Sequence, residues 1–168
     1  MPKTVFIDFD GTFADRGQVP KAHLAAVREA RSNAHRVLLC TGRPKSMVPD
    51  RLLDSVFDGL VAAAGGYVEI DGTILADTRF PEDLAARAVT VLTSYDIAFI
   101  LEAPEAVYGP VGIRERIREI LGQTFGSAGA RDMASDILNP LRATNQLSGQ
   151  SFGKVSVFSS PIPVDDLA

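Results

Sequence analysis

Over the first third of the chain the apolar residues come in short unbroken runs, each followed by a polar segment and then by apolar positions at helical spacing. The runs are Val5-Phe6-Ile7, Val37-Leu38-Leu39 and Gly59-Leu60-Val61-Ala62. Because they do not alternate with polar residues, they predict strands buried on both faces, as in a parallel sheet. Between the first two, Leu24, Val27 and Ala30 recur at helical spacing, and Pro20 stands ahead of them where helices commonly begin. Between the second and third, Pro44 opens a second helix carrying Met47, Leu52, Leu53 and Val56. Strand, helix, strand, helix, strand at this spacing predicts a parallel sheet with helices packed on it. In YVEIDGTIL (67–75) the pattern changes to alternation around Asp71-Gly72. Asp-Gly between two alternating runs predicts a tight hairpin, because both central residues need positive φ.

The second half reads as another α/β layout. PEDLAARAVTVLTSY predicts a helix with Leu84, Ala88, Val91 and Leu92 along one side. IAFILEA predicts a strand, GIRERIREIL an amphipathic helix with Ile113, Ile117, Ile120 and Leu121 inward, and KVSVFSS one more strand. The charges of RERIRE read as a solvated helix face. The Gly/Ser-rich stretches GQTFGSAGA and NQLSGQSFG are expected to be the mobile segments.

Composition narrows the function classes. A chain of 168 residues suits one domain, or one domain with part of a second. A net charge of -4, a pI near 5.1 and the lack of a Lys/Arg run leave no footprint for nucleic acid. An anionic substrate would need local cations to offset that field. The single cysteine, Cys40, excludes an intramolecular disulfide and fits a reducing compartment. Asp8 and Asp10 interrupt the first apolar run, so it is no signal core, and no later stretch predicts a membrane span. A cytoplasmic protein is expected. Cys40 ends an apolar run and has Ser46, not arginine, six residues on, so it reads as a small buried side chain. His23 and His35 have no neighbours at metal-ligand spacing and read as surface or helix-end residues.

The candidate chemistry lies in VFIDFDGTF (5–13), which YVEIDGTIL (67–75) echoes with a second acid-x-Asp-Gly-Thr. The echo is accounted for by its hairpin. The first copy follows a run without alternation, so Asp8 and Asp10 sit at the carboxyl end of a parallel strand, where open α/β sheets place their ligands. Two carboxylates one residue apart project to the same side and repel each other unless a cation intervenes. Mg²⁺, which takes oxygen ligands and keeps waters for a phosphate, suits such a pair. The plainer alternative is that Asp10-Gly11 only starts a turn and Asp8 is exposed.

DFDGT after an apolar strand, with a second apolar strand ending in TGRP, resembles the haloacid dehalogenase (HAD) superfamily. The closer likeness is to its Cof-type phosphatases, which carry a large α/β cap inserted after the third core strand. The resemblance covers about Thr4 to Asp77 by motif and the remainder by layout. It implies an α/β fold: a partial HAD-like Rossmannoid parallel sheet with helices on both faces, plus the inserted α/β cap. A division of the chain at 1–77 and 78–168 is what the resemblance implies. It implies Asp8 as the nucleophile that forms an aspartyl-phosphate, and Asp10 as the acid/base that protonates the leaving alcohol and later activates water. Mg²⁺ would be held by the Asp8 carboxylate and the Asp10 backbone carbonyl. Thr41 matches the hydroxyl that bonds a phosphoryl oxygen, with the Gly42 N–H beside it, while Gly11 and Thr12 shape the loop. Arg43 either binds substrate phosphate or pairs with a core carboxylate. The implied substrate is a small phosphorylated metabolite.

The family pattern also has a lysine and a late acidic motif beyond the cap. Lys154 opens an apolar strand that fits the cap, and Asp165 and Asp166 follow two prolines as the start of another cap helix. Neither is assigned a role, and the chain is expected to stop inside the cap with an open sheet edge. Self-association, or a partner that supplies the missing core, then enters. The alternative function is a non-catalytic remnant that binds phosphate or a partner, and a third is a plain α/β module in which DFDGT is a turn.

Overall fold

A computed structural model of the chain describes residues 1–15, 18–53, 56–163 and 166, with the side chains of 125–134 left aside. The chain divides into two compact units, Met1–Thr78 and Arg79–Ala168. In the first, β1 (Thr4–Asp8), α1 (Lys21–Ser32), β2 (Arg36–Cys40), a 3₁₀ turn (Lys45–Met47), α2 (Asp50–Leu53), β3 (Gly59–Ala62), a second 3₁₀ turn (Ala63–Gly65), β4 (Tyr67–Ile70) and β5 (Thr73–Asp77) follow one another. The sheet order is β1-β2-β3-β4-β5. β1, β2 and β3 are parallel, and β4 and β5 add an antiparallel hairpin. Asp71 and Gly72 turn that hairpin with φ of 49° and 75°, as Asp-Gly predicts.

The register explains the core. Val5 lies opposite Val37, Ile7 opposite Leu39, and Leu39 opposite Leu60, so these residues share one face. Val37, Leu39 and Leu60 pack there with Val27 of α1, Leu52 of α2 and the phenyl rings of Phe9, Phe13 and Phe57. β1 departs from expectation. Val5 is 37% exposed and Phe6 63% exposed, so the strand is not buried on both faces. The reason is its place in the sheet: among the described residues no strand pairs with its outer side, and Phe6 points away from the face that carries Val27 and Leu52.

The helix expected after Pro44 is also interrupted. Val48 is extended, at φ -94° and ψ 127°, and splits the segment into the 3₁₀ turn and a four-residue α2. Pro49 accounts for this, since its ring disfavours helical backbone in the residue before it. Met47, Leu52 and Val56 are nonetheless buried.

At Gly59 in β3 a Cβ would lie 2.6 Å from the Glu69 carbonyl oxygen and 2.9 Å from Leu38 Cδ2. A backbone oxygen in a sheet cannot step aside as a side chain can. Gly59→Ala is therefore expected to lower stability by about 1–3 kcal/mol, read as a shift of the urea midpoint.

The second unit contains α3 (Glu82–Ser94), β6 (Ala98–Glu102), β7 (Val107–Gly109), α4 (Ile113–Leu138), β8 (Leu141–Ala143) and β9 (Lys154–Ser159). Its sheet order is β8-β7-β6-β9, with β7 and β8 parallel and the other pairs antiparallel. β6 is buried along its whole length. The inward face of α3 is rotated from the expected one. Ala85 and Val89 are buried and Leu92 packs beside them, whereas Leu84 and Val91 are exposed. The positions Ala85, Val89 and Leu92 keep the same spacing one step along, so periodicity alone did not fix the phase.

On α4 the expected Ile113, Ile117 and Leu121 are buried, whereas Ile120 is only half-buried. The helix then runs on through Gly122–Ala130, where a mobile segment was expected. RERIRE is more than a solvated face. Arg114 donates to the carbonyls of Leu138 and Leu141, both at 2.8 Å, and Arg116 pairs with Asp96 at 2.8 Å. NQLSGQSFG, the other expected mobile segment, is anchored by the buried side chains of Leu147 and Phe152. Glu102, 3% exposed, pairs with Lys154 at 3.0 Å and accepts from the Ser156 hydroxyl. Lys154 is thus tied within its own sheet, and Asp165 lies outside the described residues. No described helix is long and apolar enough to cross a membrane.

Candidate active site

The segment after β1 is a tight loop with aromatic anchors. Phe9 and Phe13 are each 2% exposed, and Phe13 meets Phe57 edge to face at 4.9 Å. Two core-seated rings hold the intervening Asp10, Gly11 and Thr12 at the surface, because burying the rings fixes the ends of the loop. Its backbone closes through Gly11 N–H to the Ala14 carbonyl at 2.8 Å, Ala14 N–H to the Phe9 carbonyl at 2.8 Å, and Phe13 N–H to the Asp8 carbonyl at 3.1 Å. None of these bonds uses the Asp10 carbonyl. Gly11 has φ +81° and open space where a Cβ would stand. Glycine is therefore needed here for backbone conformation rather than for room.

Asp8 is exposed, and among the described residues its carboxylate has no hydrogen bond or ion pair. Asp10 is held differently. Arg43 Nε donates to one carboxylate oxygen at 2.8 Å and Nη2 to the other at 2.7 Å. This fork-on-fork geometry is the strong, orienting form of the pair. The guanidinium also lies over the Phe9 ring, 4.9 Å from its centroid. Of the two contacts of Arg43 open from sequence, the pairing with a core carboxylate is present, and the carboxylate is Asp10.

Thr41, at the carboxyl end of β2, is 6% exposed. Its N–H donates to the Val61 carbonyl at 2.9 Å, and its hydroxyl oxygen accepts the Arg43 N–H at 3.1 Å. That contact occupies an oxygen lone pair and leaves the O–H to donate elsewhere. Gly42 beside it is exposed. The ends of β1 and β2 therefore bring Asp8, Asp10, Thr41 and Arg43 into one region, with Gly11, Thr12 and Gly42 on the loops between. Cys40 neighbours Asp8 across the ladder. Burial, and then the Asp8 charge, push its thiol above the usual value, which disfavours the thiolate.

Among the described residues no group of three or more His, Cys, Asp or Glu is placed to hold a metal. Mg²⁺ needs fewer: one or two carboxylates, with waters and substrate oxygens completing the shell. The Asp8 carboxylate and the Asp10 carbonyl, both hard oxygen donors, fit that requirement.

A cluster absent from the sequence reading joins the turn after Thr41–Pro44 to β4. Lys45 Nζ and the Tyr67 hydroxyl both donate to Glu69 Oε2, each at 2.5 Å. Hydrogen bonds from Lys45 and Tyr67 hold Glu69 below its usual 4.5. Burial, and then the bond to Glu69, raise Tyr67 above 10.0. For Lys45, burial acts downward, but the bonds to Glu69 and Tyr67 outweigh it and leave it above 10.5. A lowered acid contributes stability above its unfolded pKa and loses it as pH falls through the folded value. The raised groups contribute below their unfolded values and lose it as pH rises through the folded ones. The cluster's contribution should therefore be flat from mildly acid to mildly alkaline pH. Below pH 4.5 the urea midpoint of Glu69→Gln is expected to fall less steeply than that of the wild type.

A family model of haloacid dehalogenase-like hydrolases matches residues 5–142, and the chain belongs to that family. No curated protein matches the chain. Several solved structures share the fold. One, from work on a conserved trigonal-bipyramidal intermediate in a phosphoryl-transfer superfamily, has a TM-score of 0.68 and 17% identity over 95% of this chain and 59% of its own. A sugar phosphatase of HAD subclass IIB has a TM-score of 0.63 and 15% identity, over 92% of this chain and 57% of its own. A HAD/COF-like hydrolase from Plasmodium vivax has a TM-score of 0.66 and 22% identity, over 92% of this chain and 55% of its own. At such identities the likeness is one of fold. The chain spans between 55% and 59% of the length of these three structures.

Proposed function

We propose that the chain carries the nucleophile and acid/base of a Mg²⁺-dependent phosphatase acting on a small phosphorylated metabolite. The observation that supports this most is the contrast between the two acids. Asp8 is exposed and has no hydrogen bond or ion pair among the described residues, while Asp10, two residues on, is gripped through both oxygens by Arg43. A nucleophile has to be free to attack, and a proton carrier has to be aimed. In this reading an Asp8 oxygen attacks phosphorus as the bond to the ester oxygen breaks, and Asp10 delivers a proton to the departing alkoxide. Asp10 then takes a proton from the water that attacks the aspartyl-phosphate, releasing phosphate and restoring Asp8. Each Asp10 oxygen accepts one N–H from Arg43 and keeps a second lone pair, so Asp10 binds and releases the proton while the fork holds it aimed. The Thr41 hydroxyl and the Gly42 backbone orient a phosphoryl oxygen, and Gly11 and Thr12 shape the loop that faces it. Asp8 and the Asp10 carbonyl would hold Mg²⁺, which would supply charge neutralisation between carboxylate and phosphate. The single Cys40 suits a cytoplasmic setting. The second unit, 79–168, is the cap in this reading.

The test is phosphate release from a generic phosphomonoester with and without Mg²⁺. Turnover that requires the ion is expected, and a folded chain with no turnover at any Mg²⁺ concentration would refute an active phosphatase. One observation favours a second reading, a phosphate- or partner-binding module without turnover. β1, which carries Asp8, is an open edge with Phe6 63% exposed. An apolar edge of this kind invites pairing with another copy or another polypeptide. Phosphate binding without release, together with self-association in sedimentation, is the pattern that reading predicts.

A further inference from the structure

The Lys45–Tyr67–Glu69 cluster takes no part in the chemistry proposed above, yet it sits one residue beyond the segment Thr41–Pro44. The Lys45 ammonium lies 5.5 Å from the centroid of the Tyr67 ring, and the phenol and the ammonium share a single Glu69 oxygen. Tyr67 is 3% exposed, and the Lys45 and Glu69 side chains are 31% and 22% exposed. Solvent-exposed pairs of this type fix little, because two long side chains must be ordered to make them. Here the buried phenol already orders the acceptor.

A second observation points to the same segment. The turn that links β3 to β4 places two consecutive alanines in the left-handed region, Ala63 at φ 49° and Ala64 at φ 54°. That conformation is unfavourable for a residue with a Cβ and persists only where the surroundings enforce it. Both amides of this strained turn are used. Ala63 N–H donates to the Arg43 carbonyl at 2.8 Å, and Ala64 N–H to the Thr41 carbonyl at 3.2 Å. The Thr41–Arg43 segment thus hangs from the strained turn. Lys45 ties its far end to β4, the strand into which that turn leads.

We infer that Lys45, Tyr67 and Glu69 form a brace that, with the Ala63–Ala64 turn, positions Thr41 and Gly42 for phosphate. The three are positioning residues, acting through the loop and not on the reacting atoms. The inference rests on the reading of Thr41 and Gly42 as a phosphate site. It also explains why the turn keeps its strain: released from Arg43 and Thr41, the alanine pair would relax to ordinary backbone. A merely stabilising ion pair makes a different prediction, since its removal would lower stability evenly without singling out this loop.

The experiment is a titration of the ¹⁵N-labelled full chain with inorganic phosphate in Mg²⁺ buffer, following the amides of Thr41, Gly42 and Arg43, with hydrogen exchange measured in parallel. Phosphate should shift these amides in the wild type. Lys45→Met should weaken that binding about fivefold or more and speed exchange at Ala63 and Ala64 about tenfold, with Leu38 in the middle of β2 unaffected. Lys45→Arg should restore both. Ala64→Gly gives the sharpest separation and does not depend on Lys45→Met folding. Glycine relieves the left-handed strain, so the Tm should hold or rise while phosphate binds more weakly. Equal phosphate affinity in the wild type, Lys45→Met and Ala64→Gly would overturn the brace alone. Phosphate that shifts none of these amides in the wild type would overturn the phosphate-site reading, and the positioning role with it.

Discussion

Asp8→Asn is expected to lower phosphatase turnover by about 10⁴-fold or more, the scale on which deleting a covalent nucleophile acts. Asn occupies nearly the same volume, and in this chain the Asp8 side chain is exposed, with no hydrogen bond or ion pair among the described residues. The substitution should therefore leave the fold and the urea midpoint unchanged, so that the rate reports chemistry alone. The neutral amide oxygen is too weak a nucleophile to attack phosphorus, so acid quench should trap no phosphorylated protein. The measurement is turnover beside incorporation of label from a ³²P-labelled phosphomonoester. If the variant turns over at the wild-type rate, Asp8 is not the nucleophile and DFDGT is a turn.

Asp10→Asn is the second large effect, and its size should depend on the leaving group. For an alkyl phosphate both steps need a proton moved, and kcat should fall by about 10²–10⁴. For p-nitrophenyl phosphate the departing phenolate needs no proton, so the first step survives while hydrolysis of the aspartyl-phosphate lacks its base. A burst of close to one equivalent of nitrophenolate followed by slow turnover is expected, visible by stopped flow. The neutral amide also gives up the double-ended ion pair with Arg43. The midpoint of unfolding checks that this loss stays small beside the kinetic one, as it should for a pair whose carboxylate side chain is 54% exposed. Loss of the burst along with turnover would assign Asp10 to the first step regardless of leaving group, contrary to the proton-carrier role.

Much of the fold was legible in the chain because its signals are local. Unbroken apolar runs identified β1, β2 and β3. Asp71-Gly72 identified the hairpin, since its demand for positive φ is a property of two residues. The spacing of Ile113, Ile117 and Leu121 identified the buried stripe of α4. Asp8 and Asp10 likewise drew attention through spacing and through the run before them, whereas Thr41 entered through the resemblance of TGRP to the family motif. None of this needs knowledge of what the rest of the chain does.

What the sequence could not carry is whatever depends on neighbours. Val5 and Phe6 have the composition of a doubly buried strand, but burial is conferred by flanking strands and helices, and β1 lies at the edge of its sheet. The phase of α3 turned on which of two adjacent stripes met β6, a choice periodicity leaves degenerate. Arg43 had two available partners, and only the loop held by Phe9 and Phe13 brought the Asp10 carboxylate within 2.7 Å of it. Lys45, Tyr67 and Glu69 are more than twenty residues apart at the extremes and share no motif, yet the turn after β2 and strand β4 set them on one oxygen. The sequence by itself determined which residue types could do chemistry and where strands and turns would form, because those follow from short-range sterics and apolar patterning. Only the tertiary structure decided which charges meet and which apolar strand stays open, because pairing and burial are properties of surfaces brought together.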